Sequence, residues 1–273
     1  MRKLPIGVAL SGGTAKATLH IGALRALLEA NIPINYLAGT SGGSIVAVMH
    51  AAGIPTDDMA ELADTMSWWK LASIKLSKLG FVSSEPIEQF IDDLLPQKTF
   101  EELSTPCALT VTNLLTGRKE VFKSGPIAPI VRASCSIPQI YLPVELHGKY
   151  YVDGGLAEYL PVETVQGFGE QFSIGINLST KRNTYERPGN ILQLIMQITN
   201  MIAKQNIPHS MGRADYLIHP DIDQYSSFDF GNTRELIELG YRYTKGNIGA
   251  LTTAWQKKSR LWQRAIRRLR HTG

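Results

Sequence analysis

Three short stretches hold the residues able to do chemistry. The first, Gly39-Thr40-Ser41-Gly42-Gly43, fits the G-x-S-x-G pattern, in which glycines allow a sharp strand-to-helix turn that lifts a serine hydroxyl over a sheet. The N-terminus of a following helix would place free N–H groups and partial positive charge beside that hydroxyl, which favours anionic species formed there. The second, Ser11-Gly12-Gly13-Thr14-Ala15-Lys16, makes the same transition earlier in the chain. Its glycines let backbone N–H groups converge on one point, as an oxyanion hole requires, at about 3 kcal/mol of transition-state stabilisation per donor. A nucleotide-phosphate loop fits less well, because neither G-x-x-x-x-G-K-[ST] nor G-x-G-x-x-G can be laid on these residues. A plain turn with an exposed Lys16 is the simplest alternative. The third stretch, Tyr151-Val152-Asp153-Gly154-Gly155, ends a short strand on a carboxylate with room beside it, although by itself Asp-Gly reads first as a turn.

These residues need elements to hold them. IGVAL (6–10) is a continuous apolar run suited to a buried parallel strand, and 17–30 repeats apolar residues at Ile21, Leu24 and Leu28 as a helix does. INYLAG (34–39) and GSIVAVMHAAG (43–53) repeat the strand and helix, with Gly53 suited to the helix C-terminus. Such alternation predicts an α/β fold, a parallel sheet covered by helices. From 56 to 103 the pattern reads as helices: Met59, Leu62, Met66 and Trp69 share a stripe, and Ser84-Glu85-Pro86 opens a helix carrying Ile87, Phe90, Ile91 and Leu94. Core packing is the first reading of those side chains, ahead of substrate lining, and Trp68-Trp69 offers an apolar contact. Residues 107–122 read as two strands joined at Thr116-Gly117, with further strands at 149–152, 171–177 and 214–220, a helix at 232–245 and a loop at 181–190.

Composition narrows the class. The chain has 273 residues, 44% hydrophobic and 19% charged, enough for one large globular core. The start MRKLPIGVAL reads as a first strand, too short and too soon broken for a secretory signal. The most apolar later run, 191–203, is interrupted by Gln193, Gln197 and Asn200 and is expected to be a buried helix, not a membrane span. Two cysteines, Cys107 and Cys135, make no disulfide framework, and no Cys/His pair has metal-ligand spacing, so a reduced, cytoplasmic setting with no metal and no cofactor is expected. The tail at 255–271 holds seven Lys/Arg and no acid, so the +4 of the whole chain becomes −3 without it.

Taken together, the three stretches resemble the patatin-like phospholipase family. The resemblance runs through LSGGTAKATLHIGAL (10–24), GTSGGS (39–44), RASCSIP (132–138), PVELHGKYYVDGGLAEYLPVE (143–163), ADYLIHPDI (214–222) and ELIELGY (235–241). It implies a three-layer α/β/α fold with a central, mostly parallel sheet, a family domain over 1–250, and hydrolysis of lipid acyl esters by a Ser-Asp dyad. Ser41 would be the nucleophile and Asp153 the base; Gly12, Gly13 and Thr14 would form the oxyanion hole, with Lys16, Gly39, Gly43, Gly154 and Gly155 in support. An unperturbed aspartate near pKa ~3.9 is a weak base for a hydroxyl, so the site must supply the rest electrostatically. Two departures stand out: Thr14 replaces the family's usual third glycine, and Lys16-Ala17 its Arg-Gly. A threonine resists positive φ, so a turn that needs it would be strained, and lysine lacks the planar fork of arginine.

The expected partner is a lipid or acyl-ester substrate. Residues 251–273 are expected to form a basic amphipathic helix, with Leu251, Trp255, Trp262, Ala265, Ile266 and Leu269 near one face, that either touches anionic lipid at the inner membrane surface or packs on the body. Nucleic acid fits poorly, since basic residues elsewhere are balanced by acids. The rival enzyme is an α/β-hydrolase with a Ser-His-Asp triad through His209 or His219. It is disfavoured because Ser41 follows only two predicted strands. pH is expected to separate the two, with a histidine base failing near ~6.5 and an aspartate base only lower. A catalytically weak acyl-binding protein on the same fold is the rival from another class.

Overall fold

Apolar runs bounded by glycine build the centre of the molecule. β1 (Ile6–Leu10) and β2 (Tyr36–Gly39) are each followed by a helix, α1 (Leu19–Glu29) and α2 (Gly42–Ala51), as the repeat in the sequence predicts. The computed structural model describes residues 3–65, 73–77, 80–169, 171–182, 187–226 and 230–271. Met66, Trp68, Trp69 and the centre of the 181–190 loop lie outside the described residues. The chain continues through α3 (Thr56–Thr65), the antiparallel pair β3 (Ser73–Ser77) and β4 (Gly80–Ser83), α4 (Glu85–Leu94), β5 (Cys107–Asn113), β6 (Lys119–Phe122) and α5 (Ala128–Ser134). There follow β7 (Val144–Leu146), β8 (Lys149–Asp153), α6 (Gly155–Glu158), α7 (Val162–Gln166), β9 (Phe172–Ile176), α8 (Ile191–Arg213), β10 (Tyr216–Ile218) and α9 (Thr233–His271). The stretch 56–103 is therefore not wholly helical. In SIKLS, Ile74 and Leu76 alternate with polar neighbours at strand period, and that period decides the element.

Among the described residues the main sheet runs β10-β9-β1-β2-β5-β8-β7, with β6 also paired to β5. β10, β9, β1, β2 and β5 are mutually parallel, while β6, β8 and β7 join antiparallel. The side-chain period of two divides the layers. Ile6, Val8 and Leu10 of β1 join Leu37, Leu109, Leu24 and Leu236 in the large core that α1, α2 and α9 cover. Ala9 and Ala38 point the other way, onto Leu160, Val162 and Val165 at α7. The result is the three-layer α/β/α arrangement.

The register on β5 brings two distant segments end to end. Leu109 pairs with both Gly39 and Phe122, and Val111 with both Glu120 and Asp153. Because a strand residue has only two flanks, β2 and β8 must share the flank opposite β6. β2 arrives parallel and ends at Gly39; β8 arrives antiparallel and ends at Asp153, two residues further along β5, or roughly 7 Å. Strand pairing thus sets the separation between the Ser41 turn and the Asp153 carboxylate.

Two amphipathic helices cover their apolar stripes differently. α9 runs unbroken across the expected boundary at 250/251. It crosses α1 at backbone contact, where a Cβ on Gly22 would fall 1.8 Å from the Ile237 carbonyl oxygen and one on Gly240 2.2 Å from that of Leu19. Leu251 and Trp255 are buried in the core; the Trp255 indole N–H donates to Leu4 O at 2.8 Å, and Lys258 Nζ pairs with Asp215 Oδ2 at 2.6 Å. The tail is therefore fastened to the body at least as far as Ser259, whose Oγ accepts the Leu4 N–H at 3.3 Å. The run 191–203, by contrast, forms the first half of α8 and leaves apolar residues outside: Ile191, Leu194, Ile198, Met201 and Ile202 face outward, Ile191 70% exposed and Met201 48%. The helix packs inward through Ala203, Ile207 and Asn206, which leaves its aliphatic stripe uncovered. Among the described residues no helix is long and apolar enough to cross a membrane.

Candidate active site

Ser41 stands at the turn between β2 and α2 with φ 52 and ψ −130, a left-handed conformation that costs a non-glycine residue about 1–3 kcal/mol. The surrounding chain holds it there. Its N–H donates to Ser134 Oγ at 2.9 Å, and that hydroxyl in turn donates to Thr110 O on β5 at 2.8 Å. Ser44 Oγ donates to Ser41 O at 2.6 Å, and Thr40 Oγ1 to Glu158 O at 3.0 Å. Gly39 and Gly43 are required by close backbone approach: a Cβ on Gly43 would lie 2.4 Å from Ser11 O.

Asp153 ends β8 with its main chain bonded on both sides, N–H to Ser136 O at 2.9 Å and carbonyl to Thr112 Oγ1 at 2.8 Å. Both carboxylate oxygens are engaged. Oδ2 accepts the Ser41 hydroxyl at 2.6 Å and Oδ1 the Gly155 N–H at 2.7 Å. Gly154 makes this packing possible, since a Cβ there would fall 2.1 Å from Thr110 O. Burial raises the Asp153 pKa to about 6, and the bonds from Ser41 and Gly155 only partly offset it. The group is thus a carboxylate at neutral pH, yet much more basic than an exposed one. This removes the separation by pH expected from the sequence, because an aspartate at about 6 titrates next to an ordinary histidine.

Neither Ser41 nor Asp153 is bonded to a histidine among the described residues. His20 is buried, donates Nε2–H to Ser11 O at 2.9 Å and is held neutral by burial, its pKa lowered to about 4. His219 bonds Ser179 O at 2.9 Å, and His209 lies on the exposed side of α8. The triad through a late histidine has no geometric support.

The glycine-rich loop contributes open donors. Gly12, expected to be one of three, is otherwise engaged: its N–H donates to Tyr159 O at 3.0 Å. Among the described residues the Gly13 and Thr14 N–H groups have no protein acceptor. Thr14 has φ 50, so the threonine does occupy the left-handed turn that a glycine would take without strain. Lys16 is buried, its Nζ donating to Ile222 O at 3.3 Å; desolvation pulls its pKa down against the attraction of Asp223.

Two cavities meet at Ser41. One is apolar, walled by Ile45, Met49, Met59, Leu62, Ile87 and Phe90 among others, so side chains read first as core packing also line a chamber at the nucleophile. The other is polar and contains Asp153, the Gly12-Gly13-Thr14 loop, Lys16 and Ser179, with Thr199, Ala203 and Ile207 of α8 along its wall. Sequence reading gave no role to Ser134, Glu158 or Asn206. Asn206 accepts the Tyr159 N–H at 3.1 Å and donates to Leu156 O at 3.1 Å, tying α8 to the turn after Asp153. The partners of Ser134 and Asn206 are far away in the chain, so no local pattern marks those two.

Comparison with known proteins identifies the family and the fold. A family model for patatin-like phospholipases matches residues 8–165. An uncharacterised NTE family protein of Mycobacterium tuberculosis is 31% identical over 177 residues, 64% of this chain and 49% of the relative. The lysophospholipase nte1 of Neosartorya fischeri is 24% identical over 284 residues, 91% of this chain and 18% of the relative. The chain thus spans about half the length of the first and under a fifth of the second. Among solved structures, VipD from Legionella pneumophila superposes with a TM-score of 0.61 at 15% identity, over 93% of this chain and 67% of VipD. ExoU from Pseudomonas aeruginosa, solved with SpcU, gives 0.52 at 15% identity over 91% and 53%. At such identity these two speak for the fold alone.

Proposed function

Because the chain belongs to the patatin-like phospholipase family, we propose that it is a serine acyl hydrolase that cleaves carboxylic esters of lipids with Ser41 and Asp153. The observation that carries this reading is the 2.6 Å contact between Ser41 Oγ and Asp153 Oδ2. In acylation, Ser41 Oγ attacks the ester carbonyl carbon as its proton passes to Asp153 Oδ2. The negative charge on the carbonyl oxygen is taken by the Gly13 and Thr14 N–H groups, and the positive end of α2 adds to it. Collapse breaks the ester C–O bond, and Asp153 returns the proton to the departing alcohol. Water then attacks the acyl-Ser41 carbonyl, gives a proton to Asp153, and the acid leaves as Ser41 is re-protonated.

The apolar cavity suits the acyl chain, and the polar cavity the alcohol portion. A carboxylate that titrates at about 6 is a better match to this work than an exposed one, since general bases function best with a pKa near the operating pH. The test is hydrolysis of a soluble nitrophenyl ester by wild type, Ser41→Ala and Asp153→Asn. Loss of turnover in both variants supports the dyad. Retention of activity in Asp153→Asn, or its loss on changing His209 or His219, would transfer the base to another residue.

A further inference from the structure

α8 presents two unlike faces. Thr199, Ala203 and Ile207, spaced four apart, wall the polar cavity at Ser41 and Asp153. Ile191, Leu194, Ile198, Met201 and Ile202 recur at helical spacing on the far side and are all exposed. Five large aliphatic side chains on one face of one helix are a contiguous patch of the kind that monomeric surfaces seldom carry without a partner.

The formal charge on α8 itself has one sign. α8 contains no aspartate or glutamate from Ile191 to Arg213. Exposed Arg187 lies just before its first turn. Lys204 of α8 donates to the Arg182 carbonyl, which brings Lys181 and Arg182 alongside the helix. Asp223 takes up part of that charge through a 3.9 Å pair with Arg182, and Lys181, Arg187 and Lys204 lie along the rim. The tail, where the sequence pattern invites a membrane contact, has Leu251 and Trp255 committed to the core.

We propose that the outer face of α8 is the docking surface through which this protein seats on an anionic lipid bilayer, with the five aliphatic side chains entering the headgroup boundary and the basic rim meeting lipid phosphates. The occupant is argued from charge and position together. An aliphatic stripe on a helix without acid, with basic residues along its rim, matches an anionic interface. The same helix walls the cavity that holds Ser41, so seating it brings the site to the surface that supplies acyl esters. The choice of a lipid source rests on the hydrolase reading; the docking does not, since an inactive protein would dock equally.

Vesicle flotation with the full chain tests this, using phosphatidylcholine alone and phosphatidylcholine mixed with phosphatidylglycerol. Wild type and Ser41→Ala are expected to float equally with the anionic vesicles. Ile198→Gln/Met201→Gln/Ile202→Gln and, separately, Ile191→Gln/Leu194→Gln are expected to lose about 10-fold or more in partitioning, with turnover of a soluble ester unchanged, which also reports intact folding. Equal flotation of wild type and both patch variants overturns the proposal, as does wild type that floats with neither vesicle. Loss of flotation confined to Arg264→Glu/Arg267→Glu assigns docking to the tail instead. A wild-type dimer in sedimentation that the patch variants dissociate assigns the patch to a second copy of this chain. Wild type that floats as expected but turns over no ester leaves the docking intact and defeats only the hydrolase reading.

Discussion

Asp153 and Thr14 both belong to the surroundings of Ser41, and they are held in opposite ways. Every polar group of Asp153 is bonded: its N–H, its carbonyl and both carboxylate oxygens. Thr14 sits at φ 50 with an N–H that has no protein acceptor among the described residues. A base must be kept at one distance from its proton donor throughout a cycle, so over-determination serves it. An oxyanion donor must be open until the anion forms, so its loop carries strain and an unpaired N–H. On the proposed mechanism, rigidity and openness are divided between two segments that meet at one serine.

Asp153→Asn should break the rigid side most severely. The amide cannot accept the Ser41 proton, and ester turnover is expected to fall by about 10²–10⁴-fold. The same change should stabilise the fold at neutral pH. The folded-state pKa of about 6 lies above the ordinary 3.8, so the native state binds the proton more tightly, and the cost to wild type of burying the charge builds up from pH 3.8 to about 6 and is complete above it. Denaturant unfolding should show the variant ahead by roughly 2–3 kcal/mol at pH 8, with the advantage gone below about pH 4. No advantage at pH 8 would mean that Asp153 is not desolvated.

Ser134→Ala tests the same side more gently. It removes the acceptor of the Ser41 N–H and leaves that buried group unpaired, at about 1–3 kcal/mol of stability. Turnover should drop by roughly 10-fold as the serine loses its hold, while the pH at half-activity stays near 6. The smallest effect belongs to the open side. Thr14→Gly should relieve the left-handed strain and raise stability by about 1 kcal/mol, with turnover equal to or above wild type; Thr14→Ala should show no such gain. A Thr14→Gly variant that melts lower than wild type would remove strain from the description of the loop.

The doubled β-turn-α opening was legible in the sequence because its signals are local: apolar runs of strand length, helical spacing after them, and glycines between. The candidate pair was legible by type and motif, but the reason Ser41 meets Asp153 was not. That reason is the register of two strands on one flank of β5, a long-range pairing that no local window contains. Ser134 escaped for the same cause, its partner being 93 residues away. Of the two amphipathic helices, α9 took one of the two placements its pattern allowed, and α8 did not bury the run expected to be buried. A periodic apolar stripe states that one face prefers cover, and says nothing of what covers it. α9 finds α1 through the reciprocal glycines Gly22 and Gly240, whereas α8 anchors by the polar Asn206 and keeps its stripe outside.

The most direct test of the account is reaction with a fluorophosphonate, followed by mapping of the adduct by mass spectrometry at a series of pH values. The account predicts a single adduct on Ser41 whose rate of formation falls as pH drops through about 6, with slow, pH-independent labelling in Asp153→Asn. Absence of an adduct, an adduct on another residue, or an unchanged pH dependence in Asp153→Asn would contradict it.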